Sequence, residues 1–328
     1  MSKTLIKVKK ISFLVLILFF MAILVIFPDR YITSCINGLK LWALTVLPSL
    51  LPFFFLTSLL TQTGTLVSLS KKITPLTKFL FNQKGISAYA FIMSILSGYP
   101  VGSRIICDLY SQNIISKGEA ERLSVLATTS GPLFIIGAVG IGMFNDKIIG
   151  FIIYLAHVLS AILVGIIFRN HGKSLSLDND FSIKESDNNV LYNCVYNSVI
   201  SSLIVGGFVS VFYVFAEVIS DFNILFPIEF LLQKPLSLFG GDISTSKAYV
   251  IGFIECTKGC KELSSMAINP LNISLSASLI SFGGVSIILQ SLTFLKKAKV
   301  SALFFLKGKI LQTLFTLVIV YVSLLIFL

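Results

Sequence analysis

Apolar residues fall in long uninterrupted runs separated by short polar breaks. The first run, 11–27, follows Lys3, Lys7, Lys9 and Lys10. Its flank resembles a secretion signal. Pro28-Asp29-Arg30 then follow in place of a small-x-small cleavage site, which predicts an uncleaved span. The second run, 41–60, carries Pro48 and Pro52, which membrane helices tolerate where neighbours satisfy the freed backbone groups. Residues 66–85 mix Leu and Phe with Lys71, Lys72, Lys78 and Lys84 and read as an amphipathic helix lying on a membrane surface. The apolar run 86–96 is too short to cross a bilayer, and it stops at Ser97-Gly98-Tyr99-Pro100-Val101-Gly102-Ser103-Arg104. This pattern predicts a re-entrant hairpin. Two long runs follow, 123–144 and 148–168, the former interrupted by Thr128-Thr129-Ser130-Gly131-Pro132.

Residues 169–189 hold seven charged residues and one His, and form a soluble linker near the middle of the chain. Beyond it the order recurs: a span over 195–219, a shorter amphipathic stretch over 226–239, and an apolar segment, 249–254, that stops at Glu255-Cys256-Thr257-Lys258-Gly259-Cys260-Lys261-Glu262. A span over 273–295, broken by Ser281-Phe282-Gly283-Gly284, and a last span over 310–328 complete it. The expected fold is an all-α integral membrane protein of about seven transmembrane helices and two re-entrant hairpins. Its parts are an N-terminal span and loop (1–40), a first repeat (41–168), a linker (169–190) and a second, inverted repeat (191–328).

Composition supports a membrane protein. Of the 328 residues 55% are hydrophobic and 12% charged, about half the charge of a soluble domain. The net charge of +11 would suggest nucleic acid in a soluble chain. Here the Lys residues flank apolar runs, no basic and aromatic face is left for water, and nucleic-acid binding is not expected. With the N-terminus inside and both hairpins returning to their own side, 19 of the 26 Lys and Arg fall inside, and the C-terminus lies outside. The five cysteines include no CxxC pair, so a disulfide framework is not expected. Neither a His-Glu-x-x-His site nor a Gly-x-Ser-x-Gly elbow occurs, so the expectation is a protein that is not an enzyme.

Gly and Pro at membrane depth leave backbone groups that must line protein or a water-filled cavity. Paired interruptions in two halves are the sequence sign of a transporter site near the midplane. The candidate substrate site is therefore Ser97, Gly98, Tyr99, Pro100, Gly102, Ser103 and Arg104 of the first hairpin and Thr129, Ser130 and Gly131 of the first broken span. Glu255, Thr257, Lys258 and Gly259 of the second hairpin and Ser281, Gly283 and Gly284 of the second broken span complete it. Exposed helix N-termini, Arg104 and Lys258 suit an anion, and Tyr99 offers a ring and a hydroxyl. A carboxylate at the depth of Glu255 invites a coupling cation, a proton or a pairing with Lys258. His157 reads as a hydrogen bond to a neighbouring helix, and Glu217 as interfacial. No cofactor or bound metal is expected. A coupling proton or Na+ is compatible with the pattern, and the remaining partner is membrane lipid.

The motifs at 97–104, Glu119-Ala120-Glu121-Arg122-Leu123 and 129–135, then Asn197-Ser198, Gly206-Gly207-Phe208, 252–260 and 281–284, resemble those of the YlbJ-type sporulation integral membrane proteins. The resemblance implies membership of the wider nucleoside-recognition or gate-domain group, which is similar in plan to concentrative nucleoside transporters, and Ser286 to Gln290 departs from the family's pattern. The resemblance implies a sporulation-linked bacterial membrane protein that moves dipicolinate, a small aromatic dianion, into the forespore across the outer forespore membrane. Transport of nucleosides or a metal ion, and a scaffold role without transport, are the competing readings.

Overall fold

The structure, a computed structural model, describes residues 3–62, 65–83, 85–172 and 189–327. Every regular element among them is helical. After α1 (Lys3–Ile26), α2 (Pro28–Leu41) continues through a π-helical turn, Trp42–Val46, into α3 (Leu47–Gln62). Pro48 lacks the N–H that the Leu44 carbonyl would take in a regular helix, and the wider turn absorbs the mismatch. The second apolar run thus belongs to a rod that starts at Pro28, earlier than the hydropathy alone indicates.

Next come α4 (Thr65–Phe81) and the short pair α5 (Gly85–Ser97) and α6 (Val101–Ser111), which pack against each other across a three-residue tip. α7 (Lys117–Leu126) begins at a reciprocal cap: the Ser116 hydroxyl accepts the Glu119 N–H at 3.2 Å and Glu119 accepts the Ser116 N–H at 2.7 Å. It stops at Ala127, and after a helix-free stretch the chain resumes as a π-helical segment, Leu133–Ile141, then α8 (Lys147–Ile167). The second half runs α9 (Val190–Asp221), α10 (Phe226–Ser237), the paired helices α11 (Ile243–Gly252) and α12 (Cys256–Ser264), α13 (Pro270–Phe282), α14 (Gly284–Leu295) and α15 (Ala302–Phe327). The order long helix, short helix, helix pair, broken helix, long helix therefore occurs in both halves.

Five of these stretches are long and apolar enough to cross a bilayer: Pro28–Leu60, Lys147–Ile167, Val190–Asp221, Pro270–Leu295 and Ala302–Ile326. The run 123–144 does not qualify, because its break leaves two pieces each shorter than a bilayer is thick. Of α1, the stretch Leu14–Ile26 is a shorter apolar helix. Its Leu14, Leu18 and Val25, like Leu191, Val195 and Leu203 on α9, are exposed apolar side chains, as lipid-facing positions should be. Asn82, Asn113, Asn145 and Asn223 adopt positive φ just after helical segments, where Asn tolerates the left-handed turn.

The broken helices and α15 form the centre. α13 lies along α15, α8 packs on both α15 and the Leu133–Ile141 segment, and α14 crosses from the second half to meet α6. The Pro28–Leu60 rod packs on α9, where glycines allow close approach. A Cβ on Gly206 would sit 2.5 Å from the Trp42 ring, whose Nε1 donates to the Ser202 carbonyl at 3.1 Å.

Candidate functional site

The first helix pair turns at Gly98-Tyr99-Pro100, with Gly98 at φ +77° and a cis Tyr99-Pro100 bond. This tip presses on the first break. A Cβ on Gly98 would stand 2.5 Å from the Gly131 nitrogen, and one on Gly102 would stand 1.9 Å from the Ala127 carbonyl oxygen. Ser94 holds the same seam: its hydroxyl accepts the Thr129 N–H at 2.9 Å and shares a 2.8 Å hydrogen bond with the Thr129 hydroxyl.

The second pair turns at Phe253-Ile254-Glu255, so Gly259 lies inside α12 and not at the tip. There it lets the two arms meet, its missing Cβ leaving room for the Gly252 backbone. Glu255 caps α12, accepting the Lys258 N–H at 2.7 Å and the Thr257 hydroxyl at 3.2 Å. The tip also caps α14: the Val285 N–H donates to the Phe253 carbonyl at 2.8 Å and the Ser286 N–H to that of Ile254 at 3.3 Å. Gly283 and Gly284, at φ +90° and +65°, make the break that exposes those two amides.

Two residues join the breaks to each other. His157 Nε2 accepts the Ser130 N–H at 2.9 Å, so its proton resides on Nδ1, which donates to the Ser281 hydroxyl at 2.7 Å. Ser281 passes the chain on to Thr316 at 2.8 Å. Lys309 is 1% exposed. Its ammonium, with three N–H donors, lies within hydrogen-bond distance of four acceptors: the Tyr99 hydroxyl at 2.6 Å, the Gln312 amide oxygen at 3.0 Å, the Ser281 carbonyl at 3.3 Å and the Thr128 carbonyl. An unmet backbone group at membrane depth costs several kcal/mol, and these two side chains supply partners of both polarities.

The two tips, the first break and the first turns of α14 enclose a central cleft. Its polar lining is Ser97, Tyr99, Ser130, Glu255, Thr257, Ser286 and Gln290, and Gly98 and Gly131 form backbone edges. Leu50, Phe134, Val205 and Ile287 supply apolar walls. The Ser97 hydroxyl, buried, has no hydrogen-bond partner among the described residues. The free volume is only about 50 Å³, room for a few waters and below the ~300 Å³ of a small-molecule pocket. Ser97 also lines a vestibule of about 280 Å³ on the other side of the first tip, bounded by Arg104, Asp108, Asn197 and Ser198. Among the described residues no basic side chain lines the central cleft itself.

Of the residues expected from the sequence, Ser97, Gly98, Tyr99, Ser130, Gly131, Glu255 and Thr257 line this one cleft. Pro100 begins α6 and Gly102 packs on the first break, while Ser103 is buried beside them. Thr129 and Ser281 stand behind the cleft wall, bonded to Ser94 and His157; Gly284 abuts the second hairpin, and Gly283 faces Ile287 of α14. The two expected anion partners lie elsewhere. Arg104 is exposed in the vestibule. Lys258 turns outward to an ion pair with Glu217 of α9, lies 3.9 Å from Glu262, and sits 4.6 Å from the Tyr213 ring centre. Glu217 in turn lies 3.8 Å from Arg30, which pairs with Asp221.

From the sequence Lys309 reads as one of the flanking charges, and Ser286 and Gln290 are not among the expected site residues. The available signal was spacing: Lys309, Gln312, Thr313 and Thr316 recur at helical intervals on an otherwise apolar span, and all four are buried.

No protein-family model matches the chain. It is similar to the sporulation integral membrane protein YlbJ of Bacillus subtilis strain 168, at 28% identity over 325 residues that cover 92% of this chain and 80% of the relative. Among solved structures, a variant of the concentrative nucleoside transporter CNTnw in an intermediate state superposes with a TM-score of 0.55 over 85% of this chain and 76% of that one, at 13% identity. A CNTnw variant in an outward-facing state gives 0.47 over 90% and 82%, at 12% identity.

Proposed function

We propose that this chain, an all-helical membrane protein similar to YlbJ and folded like a concentrative nucleoside transporter, carries a small organic anion, dipicolinate, through the central cleft. The membrane would be the outer forespore membrane, with the N-terminus inside and the C-terminus outside. The two helix pairs are then re-entrant hairpins of inverted repeats, and access alternates as the hairpin-bearing part moves against the rest. The vestibule beside Arg104 supplies entry on one side, and the Lys258–Glu217 pair holds the second hairpin shut against α9 on the other.

The observation that carries the reading is Tyr99. Tyr99 lines the cleft while its hydroxyl is held at 2.6 Å by a buried ammonium, that of Lys309. A flat aromatic acid gains a stacking surface there, a polarised hydroxyl and the unpartnered Ser97 hydroxyl. Because the Glu255 carboxyl group lines the cleft, the dianion must enter with protons that offset its charge. The same lining gives one specific rival. A carboxylate with no basic neighbour in the cleft also suits an uncharged heterocycle such as a nucleoside.

Spores made without the protein should lack dipicolinate. Restoration by the wild type, and none by an equally abundant Tyr99→Leu variant, would support the reading. Normal dipicolinate in such spores, with no paralogue compensating, would overturn it and move the search to nucleosides.

A further inference from the structure

The surroundings of Lys309 are those of a cation site. Four oxygens converge on one buried point: the Thr128 and Ser281 carbonyls, the Tyr99 hydroxyl and the Gln312 amide oxygen. Thr128 follows the C-terminus of α7, and Ser281 lies in the last turn of α13, so two helices direct their negative ends at it. The Tyr99 ring centre lies 4.7 Å from the nitrogen, and that of Phe305 6.0 Å. Among the described residues no carboxylate lies within ion-pair distance of Lys309. Neutral oxygens from unwound backbone and half-helix C-termini are how broken-helix transporters hold a coupling cation. Here the chain places its own ammonium at such a point.

We infer that the Lys309 ammonium is a built-in substitute for a free monovalent cation, tying the first hairpin tip to both broken helices, so that this protein works without Na+ at that junction. The ammonium is covalently attached and cannot leave with the cargo. The junction is therefore permanently occupied, and any coupling must come from elsewhere. Removing the side chain at Cβ should leave a polar, oxygen-lined vacancy that a free alkali cation fills.

The test uses the purified full chain in detergent and follows thermal unfolding at equal ionic strength in NaCl, KCl and choline chloride. The wild type should unfold at one temperature in all three salts. Lys309→Ala should unfold lower in choline and recover by several degrees, saturably, in Na+ or K+. A wild type specifically stabilised by Na+ would overturn the inference, as would a folded Lys309→Ala indifferent to every cation. Where Lys309→Ala yields no folded protein in any salt, Lys309→Ser repeats the test. If it fails too, the wild type's equal or unequal stability in the three salts decides. None of these readings uses the cargo, so they stand or fall separately from the dipicolinate assignment.

Discussion

His157 and Lys309 reach the same residue from two different helices. The imidazole of His157 on α8 donates to the Ser281 hydroxyl at 2.7 Å, and the ammonium of Lys309 on α15 donates to the Ser281 carbonyl at 3.3 Å. Each also holds the first break, His157 at the Ser130 N–H and Lys309 at the Thr128 carbonyl. The two interrupted helices are thus locked to one another at their weakest points, and the long helices α8 and α15 supply the locks.

His157→Leu removes the acceptor for one buried amide and the partner of one buried hydroxyl. Unsatisfied buried groups cost about 1–3 kcal/mol each, so thermal unfolding should drop measurably. Unchanged stability would show that the breaks do not depend on this bridge.

Gly98 and Gly207 make a matched pair for substitution. Gly98→Ala forces a positive φ on a side chain that would stand 2.5 Å from the Gly131 nitrogen, whereas Gly207 has nothing within 4 Å. Transport by Gly98→Ala should be lost while the protein still inserts, and Gly207→Ala should transport as the wild type does. Equal activity of the two would remove the first tip from the site.

The pair Lys258–Glu217 should act as a latch. Lys258 is 4% exposed and Glu217 30%, so Glu217→Gln leaves the buried ammonium with the more distant Glu262, at 3.9 Å, and should cost on the order of 2 kcal/mol. Lys258→Met leaves Glu217 near Arg30 and should cost less. Both should increase labelling of a Thr257→Cys reporter by an impermeant maleimide added from the side of Glu217. Unaltered labelling would mean that the pair does not close that side.

Arg104→Ala should weaken transport by no more than about tenfold, through capture of an anion at the vestibule, because the guanidinium is solvated and outside the cleft. Complete loss in an uptake assay, with normal insertion, would place Arg104 in the site itself.

Much of this architecture can be read from Gly and Pro. Gly98, Gly131, Gly283 and Gly284 mark both breaks and the first tip, since a polar glycine cluster inside an apolar run has few other uses. The second tip is displaced from Gly259 to Phe253–Glu255, because Glu255 is a helix cap and Gly259 serves the crossing of two arms. Charge misled more than backbone did. Gly102, Ser103 and Ile106 occupy the buried face of α6, which turns Arg104 and Asp108, one helical turn apart, outward. Lys309 stands two residues from Lys307 in a basic flank, and only the face it shares with Gln312 and Thr316 shows that it points inward. Adjacency to a hairpin does not fix the direction of a long side chain.

The most direct measurement is uptake of labelled dipicolinate by liposomes containing the purified protein, with and without an inward proton gradient. The wild type should show saturable uptake that the gradient stimulates, Glu255→Gln no stimulation, and Gly98→Ala none of the uptake. Uptake no greater than in protein-free liposomes, or equal in Gly98→Ala and wild type, would contradict dipicolinate transport through the cleft.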